Sequence, residues 1–171
     1  NFIELHFIKD LLPGYFWVFP LPNHEANIGL GMLTDKIVAN NVNIRKKLLE
    51  VVATHPVLKD RFKNAELVGG IKGWGLPLGS IKRQISGDNF MLLGDAAWLI
   101  DPFTGEGIGN AMFSGRTAAK WAVNAINTSN FSAANLKQYD NEIFGKLEDE
   151  LKLSYRMQKL SSIKWLFNLL I

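Results

Sequence analysis

Apolar positions near the start of the chain fall in three short runs, Phe2 to Ile8, Tyr15 to Leu21 and Ala26 to Met32, each bounded by turn residues. The turns, Lys9 to Gly14 with Pro13-Gly14 and then Pro22-Asn23-His24-Glu25, are of the kind that reverses antiparallel strands, so a three-stranded meander is predicted. In Tyr15-Phe16-Trp17-Val18-Phe19 the alternation puts Tyr15, Trp17 and Phe19 on one face and Phe16 and Val18 on the other. From Asn40 the period lengthens. Ile44, Leu48 and Val51 or Val52 fall at helical spacing, Pro56 interrupts, and a short second helix is expected to Phe62. Ala65 to Leu78 reads as extended, and a buried strand, Asn89 to Leu93, follows a turn at Ser86-Gly87-Asp88. A glycine-rich loop, Gly94 to Gly107, leads into a helix from Ile108 to Ile126. Its expected inner stripe is Ile108, Ala111, Met112, Gly115, Ala118 or Ala119, Ala122 and Val123. Residues 133–171 read as two helices divided near Ser161-Ser162.

Composition narrows the classes. With 47% hydrophobic and 20% charged residues the chain has the makeup of a globular domain rather than a disordered tail. The absence of cysteine removes disulfides, thiolate nucleophiles and Cys-based metal sites. Nineteen basic against sixteen acidic side chains leave +3, too little and too scattered to argue for nucleic acid. No run approaches the roughly 18 to 20 apolar residues of a membrane-spanning helix, and no charged-then-apolar signal peptide opens the sequence. His6, His24 and His55 lack metal-ligand spacing and read as structural or surface groups, so no metal site is expected.

The chemistry concentrates between Asn89 and Ala111. A strand ending in Gly94-Asp95 places an acid where ligands of α/β sheets bind, and such an acid accepts hydrogen bonds from sugar-type hydroxyls. Pro102, Gly105, Gly107, Ile108, Gly109 and Asn110 form the loop and helix start. There, free N–H groups favour negative charge, and the glycines let backbone approach a flat or phosphorylated ligand. The plainer alternative is that Asp95 caps a turn and the glycines only permit tight loops.

Gly-Asp-Ala-Ala, then Pro102, then Gly-x-Gly-x-x-x-Ala at a helix start resembles the second FAD-binding motif of flavoproteins with the hydroxybenzoate-hydroxylase fold. Tyr15-x-Trp17-x-Phe19-Pro20, followed by Asn27-Ile-Gly-Leu-Gly31, is similar to the substrate-domain signature of the geranylgeranyl reductase family, as is Pro102-x-x-Gly105-Glu106-Gly107-Ile108. One departure is Pro13, two residues before Tyr15, where many members place it three before. The two motifs cover residues 13–126.

The resemblance implies an α+β or α/β piece of an FAD-binding flavoprotein fold, with an antiparallel substrate-domain sheet and C-terminal helices. Residues 1–85 would belong to the substrate-binding portion, 86–127 to the FAD strand, loop and helix, and 128–171 to a helical region. It implies reduction of carbon–carbon double bonds in an isoprenoid, geranylgeranyl-type substrate, with FAD as cofactor and NAD(P)H or a redox protein as reductant. Gly94, Asp95, Pro102, Gly105, Gly107, Ile108, Gly109 and Asn110 would bind the cofactor. Tyr15, Trp17, Phe19 and Pro20 would meet the apolar substrate, against the plainer expectation that aromatic residues at period two pack a core.

Catalytic residues are not named by the sequence. Glu106, beside the helix that would face the flavin ring, is the one weak candidate, with stabilisation of a helix N-terminus as its plainer role and loop solvation as that of Asp101. Residues 1–60 hold no Gly-x-Gly-x-x-Gly dinucleotide turn; Gly29-Leu-Gly31 lies in a strand. The expectation is that the dinucleotide-binding half is absent from this sequence, and that the chain alone retains FAD weakly and is inactive.

Flavin monooxygenases and halogenases on the same fold, and a non-catalytic apolar-ligand module, stay open. The expected setting is cytoplasmic. Arg156, Lys159 and Lys164 with the apolar run Trp165 to Ile171 leave peripheral membrane contact open beside packing on the protein itself. An exposed apolar face would favour dimerisation.

Overall fold

The computed structural model describes residues 2–162, so the second C-terminal helix and most of the basic apolar segment lie outside the described residues. The fold is mixed α and β, with two small antiparallel sheets and long C-terminal helices. The described residues divide into two compact units, residues 2–73 with 161–162, and residues 74–160.

In the first unit β1 (Glu4–His6), β2 (Phe16–Pro20) and β3 (Ala26–Leu30) form the meander in the order β1-β2-β3. The β2–β3 hairpin turns through Asn23 and His24, both at φ 61°. Two left-handed residues make the turn whose twist matches paired strands, and Asn tolerates that conformation better than most. Phe16 pairs with Leu30 and Val18 with Ile28, which puts these four on one face. That face is covered by α2 (Ile44–Thr54) and α3 (Pro56–Phe62), with Val51 and Leu58 buried against Phe16 and Val18. Asn43 caps α2 by accepting from the Lys46 N–H at 3.0 Å, and Pro56 opens α3, where its missing N–H costs nothing. The sequence pattern does not predict α1 (Thr34–Ala39), a short helix with no buried residue and hence no apolar period to betray it.

In the second unit β4 (Ser86–Gly87) and β5 (Phe90–Met91) make a minimal hairpin around Asp88-Asn89, with Asn89 at φ 66°. The turn is therefore one residue later than expected, because Ser86 and Gly87 are paired. The strand predicted over Asn89 to Leu93 is short and not buried: Phe90, Leu92 and Leu93 are all exposed. Ala65 to Leu78 forms no strand; its one β contact is a parallel bridge from Leu78 to Ile100. Its glycines and Pro77 leave it without a ladder to join.

Two helices, α4 (Ile108–Thr128) and α5 (Ala133–Ser161), complete this unit. Ile85, Ala97, Leu99 and Ala118 pack with Tyr139, Ile143, Leu147 and Leu151 of α5 as its core. The buried Tyr139 hydroxyl donates to the Leu92 carbonyl at 2.7 Å, and burial pushes its pKa up to about 12. The expected inner stripe of α4 holds at Ala118 and fails at its large apolar members. Ser114, Thr117, Ala118 and Ala125 face inward, while Ile108, Met112 and Val123 are exposed.

Candidate functional site

The loop between Gly94 and α4 is built by its own polar groups. Gly94 to Ala97 form a 3-10 turn that ends on Trp98 in the left-handed region, φ 57°. Gly94 itself stands at φ +50°, and a Cβ there would sit 2.9 Å from the Ala111 Cβ, so only glycine lets the turn lie against α4. Its N–H donates to Ser114 Oγ at 3.0 Å, and that hydroxyl donates to the Ala111 carbonyl at 3.0 Å. Asp101 Oδ1 accepts from the Phe103 N–H at 3.0 Å, the Thr104 N–H at 2.7 Å and Thr104 Oγ1 at 2.9 Å. Burial pushes the Asp101 pKa up, but hydrogen bonds from Ser154, Thr104 and Phe103 outweigh it and hold the carboxyl below its usual range.

Apart from Gly94, which is buried in its turn against α4, the predicted cofactor residues separate into two groups. Pro102, Gly109 and Asn110 hold the loop: the Pro102 carbonyl accepts from the Gln158 amide, and Asn110 Nδ2 donates to the Leu99 carbonyl at 2.7 Å. The Gly109 N–H donates to Glu106 Oε1 at 2.9 Å, so the Glu106 carboxylate caps α4, its plainer role. Asp95, Gly105, Gly107 and Ile108, by contrast, line an open cleft of about 360 Å³, a size within the range of small-molecule sites.

Leu76 and Met112 also line the cleft, whereas the sequence pattern places Leu76 in an extended run and Met112 on the inner stripe of α4. The signal for Met112 was present, since it lies one helical turn beyond Ile108. A Cβ on Gly107 would lie 2.9 Å from Ile100 Cγ1, so the cleft floor depends on glycine there. Asp95 is exposed, and its carboxylate has no hydrogen-bond or ion-pair partner among the described residues. An unspent acceptor beside apolar walls and exposed backbone suits a ligand that is flat and apolar at one end and carries hydroxyls at the other.

The second candidate surface belongs to the first unit. Phe16 and Val18 are fully buried, whereas Tyr15 and Trp17 are half-buried and Phe19 is exposed. The aromatic face is thus the side of the sheet turned away from its helices. Pro20 ends the strand opposite Ala26. Trp17 and Phe19 stack at 5.9 Å, and Tyr15 meets Trp17 edge-on at 6.3 Å. Burial raises the Tyr15 pKa. His6 and His55 lie on the helix-covered side, 6.3 Å apart, and among the described residues no group of side chains is arranged to hold a metal ion.

Residues 1–71 match the family model described as the geranylgeranyl reductase catalytic domain. The similarity continues beyond them. A digeranylgeranylglycerophospholipid reductase of Methanococcus aeolicus is 37% identical over 166 residues, which cover 94% of this chain and 40% of that protein. The chain belongs to the geranylgeranyl reductase family. Another digeranylgeranylglycerophospholipid reductase, of Methanocella arvoryzae, is 35% identical over 147 residues, 86% of this chain and 35% of that one. A solved geranylgeranyl bacteriochlorophyll reductase-like protein from Thermoplasma acidophilum superposes with a TM-score of 0.73 at 28% identity, covering 92% of this chain and 38% of its own. The chain thus spans about two fifths or less of the length of the relatives it matches.

Proposed function

We propose that this chain forms part of an FAD-dependent reductase that saturates carbon–carbon double bonds of an isoprenoid lipid. The observation that carries the reading is the cleft at the start of α4, where the unpartnered Asp95 carboxylate meets a floor that only glycine permits. Those features fit the ribityl and ring end of a flavin. Asp95 accepts hydrogen bonds from ribityl hydroxyls, Gly105 and Gly107 let backbone approach the ring, and Ile108 and Met112 keep water from it. The aromatic face of β2 takes the prenyl chain. When bound, FAD supplies the hydride for addition to the double bond, with NAD(P)H or a redox protein as the electron source. Glu106 and Asp101 are spent on the loop and serve its shape.

The relatives are reductases by name, which favours reduction over oxygen insertion. The test is a chimera in which the matching stretch of the Methanococcus aeolicus reductase is replaced by this chain. Retained flavin absorbance together with saturation of a geranylgeranyl lipid, both lost in Asp95→Ala, is the expected result. A well-folded chimera that takes up no flavin would overturn the reading.

A further inference from the structure

The antiparallel register explains how Trp17 is held. Trp17 pairs with Gly29 and Phe19 with Asn27, so both β3 residues lie on the aromatic face. A Cβ on Gly29 would fall 2.2 Å from Trp17 Cζ2 and 2.7 Å from Cε2. The indole therefore occupies the space a side chain would take, directly over the β3 backbone, and Gly29 is buried beneath it. Its single polar group is spent as well, because Nε1 donates to Asn27 Oδ1 at 2.9 Å. Phe19 stacks on the indole with an interplanar angle of 28°.

We propose that Asn27 and Gly29 are positioning residues, which seat the Trp17 indole flat on the sheet and consume its N–H, so that Trp17 and Phe19 present a carbon-only platform to a hydrocarbon ligand. The proposal rests on reading this face as the prenyl site. A free indole N–H would hold water or a hydroxylated ligand at the platform, and a desolvated N–H left without a partner would penalise the hydrocarbon. A side chain at position 29 would lift the ring and break its stack on Phe19. Substrate class is thereby set partly by two residues that need not touch the substrate.

The test uses the 171-residue chain with geranylgeraniol as probe and the indole N–H resonances as readout, Trp17 being assigned among the five tryptophans by Trp17→Phe. In the native chain the Trp17 N–H should exchange with water more slowly than in Asn27→Leu, and geranylgeraniol should shift its resonance. Asn27→Leu and Gly29→Ala should each bind the probe about tenfold more weakly while keeping a cooperative melt. Asn27→Asp, which keeps the acceptor, should restore binding. Equal N–H exchange in native and Asn27→Leu chains overturns the seat irrespective of any ligand. Undiminished binding by a well-folded Asn27→Leu overturns the positioning role and leaves the prenyl site standing. A native chain that neither binds the probe nor shifts its Trp17 resonance overturns the prenyl reading itself.

Discussion

Asp101 shows how one side chain fixes the loop that frames the cleft. Its Oδ1 gathers three donors from the two residues that follow Pro102, and the Asp101 N–H donates to the Glu106 carbonyl at 2.7 Å. Replacing it with Ala strands the Thr104 N–H, while the Phe103 N–H keeps Ser154 Oγ at 3.1 Å, and an expected loss of roughly 1 kcal/mol should appear in urea unfolding of the chain. The pH dependence has a definite sign. Because the folded carboxyl titrates below its unfolded value, its contribution is present above the unfolded pKa near 3.9 and is lost as pH falls through the folded value. Asp101→Asn should therefore flatten the acid side of the stability curve, measured as urea midpoint against pH. From the sequence alone the plainer role of Asp101 is loop solvation, and the fold corrects this, because Oδ1 is spent on the donors of its own loop.

At the scale of elements, α5 begins on a cap supplied from far away in sequence. Asp88 Oδ1, in the turn of the β4–β5 hairpin, accepts from the Ala133 N–H at 2.6 Å, and the Asn89 N–H donates to the Phe131 carbonyl at 2.9 Å. The hairpin and the start of α5 are thus one hydrogen-bonded unit. Asp88→Ala should cost about 1 kcal/mol, and Asp88→Asn much less, in thermal unfolding followed by helical circular dichroism. No local pattern announces this cap, because donor and acceptor lie 45 residues apart. The strands and turns of the meander were legible for the opposite reason, being specified by neighbouring residues such as Asn23-His24. The extent of β5 was not, since a two-residue strand is defined by its partner rather than by its own apolar run.

At the scale of the whole molecule, the outward face of α4 carries Ile108, Met112, Val123 and Ile126, each more than half exposed. Exposed apolar side chains along one helix face drive association. The chain should self-associate with rising concentration in sedimentation velocity, and Val123→Lys with Ile126→Lys, both outside the cleft, should shift it toward monomer. By itself the sequence determined the meander, the position of the glycine loop ahead of α4 and the family, because turn residues and spaced motifs act over a few positions. Only the tertiary structure decided which stripe of α4 is buried. Small residues on several sides give that helix no unique apolar face, and the choice fell to Ser114, which bridges Gly94 and Ala111, and to the packing of Ala118 against α5. The same holds for the aromatic strand, whose alternation defines two faces, while the helices that bury Phe16 and Val18 determine which one is left open.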